Sequence, residues 1–132
     1  MTYKLSVVIP CYNEIASVEE LLESVRNAPV DNIEIIVVDD GSTDKTSSIV
    51  KSAEGVRYYH QENSGPAKAR NLGADNASGD ILFFTDSDCV PASDWIESAI
   101  VHFDIPGVAV VAGSYGIASS ENLLARTIHK EI

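Results

Sequence analysis

The sequence predicts an α/β fold: a mostly parallel sheet with helices on both faces. Three observations carry this. Short apolar runs of strand length alternate, from residue 5 to about 112, with segments whose apolar residues recur at helical spacing. The runs are continuously apolar instead of alternating, as strands buried on both faces require. Turn and capping residues stand at the joints, at Pro10, at Gly41-Ser42-Thr43-Asp44 and at Gly113.

Each element has its own reason. Residues 5–9 form the first apolar run, and Pro10 is expected to end it. Ile15, Val18, Leu21, Leu22 and Val25 then share one helix face. A second run at 33–38 is rich in β-branched residues, and the Gly41–Asp44 turn offers caps for a helix reaching about Ala53. Residues 56–60 make a third, shorter strand. A helix over 66–77 carries Ala69, Gly73 and Ala77 at four-residue spacing, small residues that let it sit close to a sheet. The fourth strand is expected at 80–85. Trp95, Ile96, Ala99, Ile100 and Phe103 give another apolar face, and 108–112 a fifth strand. The tail, 121–132, can form a helix with Leu123, Leu124, Thr127 and Ile128 on one side. With no further element for that stripe to cover, a missing segment or self-association through the tail helix is expected. The domain reading is therefore 1–115 for the α/β unit and 116–132 for the start of a further segment.

Composition narrows the function. The net charge is −11, from 9 basic and 20 acidic residues. Nucleic-acid backbones and anionic membranes call for clustered Lys and Arg, so neither is an expected partner. An acidic chain that binds an anionic small molecule needs a divalent cation or oriented backbone N–H groups. No apolar run approaches the roughly 20 residues of a membrane helix, and the N-terminus has no signal-peptide pattern. A soluble, cytoplasmic domain is expected, with Cys11 and Cys89 as free thiols.

In parallel α/β sheets, ligands bind beyond the carboxyl ends of the strands. Residues 10–14, 39–44 and 86–89 all occupy such positions. Asp86 and Asp88, two apart on an extended segment, point the same way and can address one hard cation such as Mg²⁺ or Mn²⁺. Asp40 is placed to accept the ring N–H of a pyrimidine base, whereas Asp44 suits a helix cap. Asn13 and Glu14 suit either a cap or a ligand contact. Lys68 and Arg70 stand near a helix start, where a phosphate is favoured and a solvated face is the plainer alternative. His60, His102 and His129 have no partner at metal-ligand spacing, and Trp95, Ile96 and Phe103 read as core.

Four motifs in order resemble family 2 glycosyltransferases: Val7–Glu14 (VVIPCYNE), Ile35–Asp44 (IIVVDDGSTD), Ala69–Gly73 (ARNLG) and Phe84–Asp88 (FTDSD). Each is common alone; together, at this spacing, they are specific. The resemblance implies a GT-A fold, a nucleoside-diphosphate sugar donor (most often UDP-linked) and Mn²⁺ or Mg²⁺. It implies that Pro10, Tyr12 and Glu14 line the nucleotide pocket, with Asp40 at the base. Asp86 and Ser87 would stand on the ribose or metal side, Asp88 would hold the metal, and Arg70 fills a recurrent position near the ligand. The implied reaction is inverting displacement on an unknown carbohydrate or lipid-linked acceptor. The acidic general base of the family has no counterpart between Gly113 and Ile132, so it is expected beyond Ile132, in a protein of which this chain is the donor-binding part. A donor-binding pseudo-enzyme is the non-catalytic alternative. A phosphoacceptor receiver domain has similar alternation, but it needs an acidic pair after its first strand and a lysine after its fifth. Here those places hold Cys11-Tyr12-Asn13-Glu14 and Gly113-Ser114-Tyr115.

Overall fold

The computed structural model of the chain describes residues 3–89, 91–92 and 94–113. The chain divides into two compact units, Met1–Glu97 and Ser98–Ile132. In the first, strands β1 (Leu5–Cys11), β2 (Ile33–Asp39), β3 (Val56–His60) and β4 (Ile81–Phe84) form one parallel sheet in the order β3-β2-β1-β4. Helices α1 (Ile15–Arg26), α2 (Thr46–Ser52) and α3 (Pro66–Asp75) make the crossovers. The order runs outward from β1 through β2 to β3, then returns to place β4 on the other side of β1. That reversal is a topological switch point, and it puts the end of β1 at the centre of any ligand crevice.

The continuous apolar runs predict burial on both faces, and β1 is buried at every residue. In-register pairing sets Val8 beside Ile36 and Phe84 on one face, and Val7 beside Ile35 and Phe83 on the other. α3 covers the first of these, where Ala69 packs with Ile36 and Val38. Gly73 of α3 explains the close fit. A Cβ there would collide with Cγ1 of Val8 and come within 3.3 Å of Cγ2 of Val38. The opposite face carries Leu5, Val7, Ile9, Ile35 and Val37, all buried, and Phe83 meets Trp95 edge-on with ring centroids 5.6 Å apart. Val18, Leu21, Leu22 and Val25 of α1 are buried as their spacing predicts. Full burial of each such side chain contributes roughly 1.5–3 kcal/mol, the bulk of the stabilisation.

Two expectations change. β1 does not stop before Pro10: it runs through Pro10, which pairs with Val38, to Cys11. Hydrogen bonds explain the tolerance. The carbonyl of Cys11 accepts from Asp40 N–H on the β2 side, while that of Val8 accepts from Thr85 N–H on the β4 side. Alternation therefore aims position 10 toward β4, which has ended at Phe84. The missing proline N–H has no ladder bond to lose. The fifth strand expected at 108–112 is also absent. In the second unit α4 (Trp95–Ile100, begun in the first) gives way to a 3₁₀ turn at Val101–Asp104, and 105–113 is irregular. Gly107 at φ +86° and a bond from Val108 N–H to Ile105 O make a turn there, and Val110 is 82% exposed. An apolar run without a neighbouring strand has no ladder to join. The tail helix and self-association through it lie outside the described residues. No helix among the described residues is long and apolar enough to cross a membrane.

Candidate functional site

The carboxyl ends of β1, β2 and β4 gather the predicted residues on one rim. Asp39 ends β2 and Asp40 follows it, and both are buried. Asp39 accepts from Tyr58 Oη at 2.8 Å and from the N–H of Ser42 at 2.9 Å. Burial, followed by the bond and charge of Asp39, pushes the Tyr58 phenol well above its ordinary range. Asp40 is more heavily used. Its Oδ1 accepts from Gln61 Nε2 and from the N–H of Ser64, both at 2.7 Å, and its Oδ2 from the N–H of Gly65 at 3.1 Å. Burial opposes ionisation of Asp40, yet the bonds from Gln61, Ser64 and Gly65 outweigh it and lower the pKa. The carboxylate thus organises the 61–65 loop that leads into α3. A base contact by Asp40 would have to share oxygens already bonded within the chain. Gly41, at φ +79°, lets this loop approach: a Cβ there would stand 2.9 Å from the backbone nitrogen of Asn63.

The loop after β1 is docked on the loop after β2. Asn13 N–H donates to Ser42 Oγ at 3.0 Å, Thr43 N–H to Asn13 Oδ1 at 2.8 Å, and Glu14 N–H to Thr46 Oγ1 at 3.0 Å. Pro10 is buried, Glu14 half-buried and Tyr12 44% exposed. The side chain of Glu14 makes no backbone cap bond; its Oε2 accepts from Ser17 Oγ at 3.2 Å. Asp44 does cap, its Oδ1 accepting from Thr46 N–H at 2.8 Å at the start of α2.

At the end of β4, Arg70 of α3 donates to Asp86 Oδ1 at 2.7 Å. Asp86 and Asp88 are the accessible members of this run, while Ser87 between them is buried. Lys68 is exposed. One oxygen each from Asp86 and Asp88 and the sulfur of Cys89 lie within 4.8 Å of one another. Two carboxylates suit a hard divalent cation. Cys89 offers a soft sulfur donor that such a cation does not favour, and burial, then the charge of Asp88, raises its pKa. The rim is strongly negative. Cys11, buried beneath it, is pushed up to about 12 by burial and then by Asp39, Glu14, Asp44 and Asp40. A polyphosphate could approach such a surface only with a cation or basic group between, and Arg70 with the Asp86–Asp88 pair stands where one is needed.

Comparison with known proteins decides the family. The model of glycosyl transferase family 2 matches residues 6–131.

The chain belongs to glycosyl transferase family 2.

A glycosyltransferase of Rickettsia felis is 48% identical over 97 residues, which is 71% of this chain and 16% of that relative. The mannosyltransferase PcManGT of Pyrobaculum calidifontis, solved with GDP-Man and Mn²⁺, is 33% identical with a TM-score of 0.75 over 82% of this chain and 34% of that one. TarS of S. aureus, solved with UDP-GlcNAc, is 29% identical with a TM-score of 0.71, over 83% of this chain and 37% of that one. This family 2 chain has the GT-A fold expected from its motifs, and it spans well under half the length of each of these proteins.

Sequence reasoning found the strand-end aspartates of this family 2 site but missed what holds them. Gln61, Asn63 and Ser64 carry no motif; only their place between β3 and α3 marks them. The bonds of Asn13 to Ser42 and Thr43 likewise carry no signature in the sequence.

Proposed function

We propose that this chain is the donor-binding part of an inverting glycosyltransferase that moves a hexose from a nucleoside-diphosphate sugar, UDP-linked, to a carbohydrate or lipid-linked acceptor in the cytoplasm. The observation that carries this is the grouping of Arg70, Asp86 and Asp88 at the end of β4, in a GT-A chain whose first strand lies at the switch point. Solved relatives binding GDP-Man with Mn²⁺ and UDP-GlcNAc support it. Asp88 and Asp86 are the residues that would hold Mn²⁺ or Mg²⁺, which when bound neutralises charge on the departing diphosphate. The chain's own residues do the rest. Pro10, Tyr12 and Glu14 line the nucleotide, with the exposed Tyr12 ring offering a face to the base. Asp40 fixes the pocket wall through the 61–65 loop. Arg70 holds Asp86 aligned while adding positive charge beside the phosphates. The carboxylate that takes the acceptor's proton belongs to a segment beyond Ile132, so the 132-residue chain binds donor without transferring the sugar.

Calorimetry of UDP and GDP, with and without Mn²⁺, tests the reading. UDP should bind more tightly with Mn²⁺, and Asp88→Ala should abolish that increment while leaving the metal-free affinity. Failure of both nucleotides to bind under any condition would sink the donor-site reading. Equal affinity with and without Mn²⁺ would remove the cation from it.

A further inference from the structure

Asn13 has φ +51°, a left-handed conformation uncommon for a residue with a side chain. Asparagine tolerates it best among non-glycine residues, because its short amide can bond locally. Here the amide bonds across to another loop. Its Oδ1 accepts from Thr43 N–H at 2.8 Å, and its Nδ2 lies 3.3 Å from Thr43 Oγ1. On either side of this contact, Asn13 N–H reaches Ser42 Oγ and Glu14 N–H reaches Thr46 Oγ1, each at 3.0 Å. The anchors are firm. Ser42 donates its own N–H to buried Asp39, and Thr46 is fully buried. A chain of bonds therefore runs from the buried end of β2 into the turn after β1.

That turn decides where Tyr12 goes. Cys11 is the last residue of β1 and is buried; Tyr12, the next, is 44% exposed. A reversal at Asn13 lets the chain present the Tyr12 ring outward and still enter α1 at Ile15. We propose that Asn13 is a positioning residue of the donor pocket: latched to Ser42 and Thr43, it holds the left-handed turn that sets Tyr12 and Glu14 against the nucleotide. The proposal rests on the donor-site reading above. The latch lies at the exposed rim, where hydrogen bonds add little to global stability, so its effect falls on pocket shape.

The test uses the whole 132-residue chain with UDP and Mn²⁺ as the probe. Asn13→Gly keeps access to positive φ and removes the side-chain bonds; Thr43→Val removes only the hydroxyl. Three quantities are read: UDP affinity by calorimetry, melting temperature, and amide exchange at 12–14 and 42–44. Asn13→Gly should weaken UDP binding about tenfold and speed exchange in both loops, with the melting temperature close to wild type. Thr43→Val should lose less, and the double variant should be no worse than Asn13→Gly, because both act through one contact. Unchanged UDP affinity in Asn13→Gly overturns the proposal. So does a loss matched by a proportionate fall in melting temperature and faster exchange throughout the sheet, which is the mark of a purely structural role. Wild-type chain that binds no UDP overturns the donor-site reading first, before any variant is compared, and takes the positioning role with it.

Discussion

Arg70 of α3 and Asp86 beyond β4 are joined by a 2.7 Å charge-assisted hydrogen bond, with side chains 38% and 44% exposed. An ion pair this accessible contributes only about 0–1 kcal/mol to folding. Its consequence is local. It fixes one member of the aspartate pair to a helix that is itself seated on β1 and β2.

Arg70→Ala should therefore separate binding from stability. Mn²⁺-dependent UDP affinity is expected to fall roughly tenfold, while the melting temperature moves by only a few degrees. Arg70→Lys should recover part of the loss, since one nitrogen-to-oxygen bond joins the pair and an ammonium can supply it. Calorimetry and thermal denaturation on the same preparations check both halves.

Asp40 should behave in the opposite way. Replacing it by Ala removes the carboxylate that the N–H groups of Ser64 and Gly65 and the amide of Gln61 donate to, part-buried bonds to a charged group whose loss costs about 1.5–3 kcal/mol. Urea denaturation should show the loss, with Asp40→Asn falling between Ala and wild type.

Glu34 makes a pH prediction. It lies near the start of β2, far along the strand from the rim, and accepts from Ser78 N–H at 2.9 Å, from Ser6 Oγ at 2.7 Å and from Arg57. Burial raises its pKa, but the bonds from Ser78, Ser6 and Arg57 prevail and lower it from 4.5 to about 2. A depressed folded-state pKa means the stabilisation is present above 4.5 and is lost as pH falls from there toward 2. Glu34→Gln should be less stable at neutral pH and should flatten the acid limb of the stability curve between those values. Denaturation midpoints across that range provide the measurement.

Gly73→Ala tests the helix-to-sheet fit. Helix propensity alone would favour alanine by about 1 kcal/mol. The Cβ would meet both Val8 and Val38, residues with no room to retreat in a filled sheet face. Overpacking should win, for a net loss of about 1–3 kcal/mol. A higher melting temperature in Gly73→Ala would contradict the packing described.

Much of this architecture was legible in the chain because burial on two faces writes itself as continuous apolar runs. β1 and β2 stand where Leu5 and Ile33 begin such runs, and Ala69 and Gly73 announced the helix that sits close. What stayed hidden depends on neighbours in space. Pro10 looked like a stop because its tolerance depends on β4 ending two residues short of it. Val108 to Ala112 looked like a strand because hydrophobicity cannot reveal whether a partner is present. The strand-end aspartates were found for the general reason that ligands meet such sheets at that edge. The 61–65 loop was not, since its polar residues resemble any surface connection until Asp40 is seen at their centre.

The separation of strands from rim has a practical outcome for engineering. Residues 12–14, 41–45, 61–65 and 86–89 all follow strands whose cores are already filled, so most of their side chains can vary without disturbing the sheet's own packing. A library restricted to those four stretches, with Gly41, Asp44, Gln61 and Ser87 kept, would vary the rim on a scaffold that continues to fold.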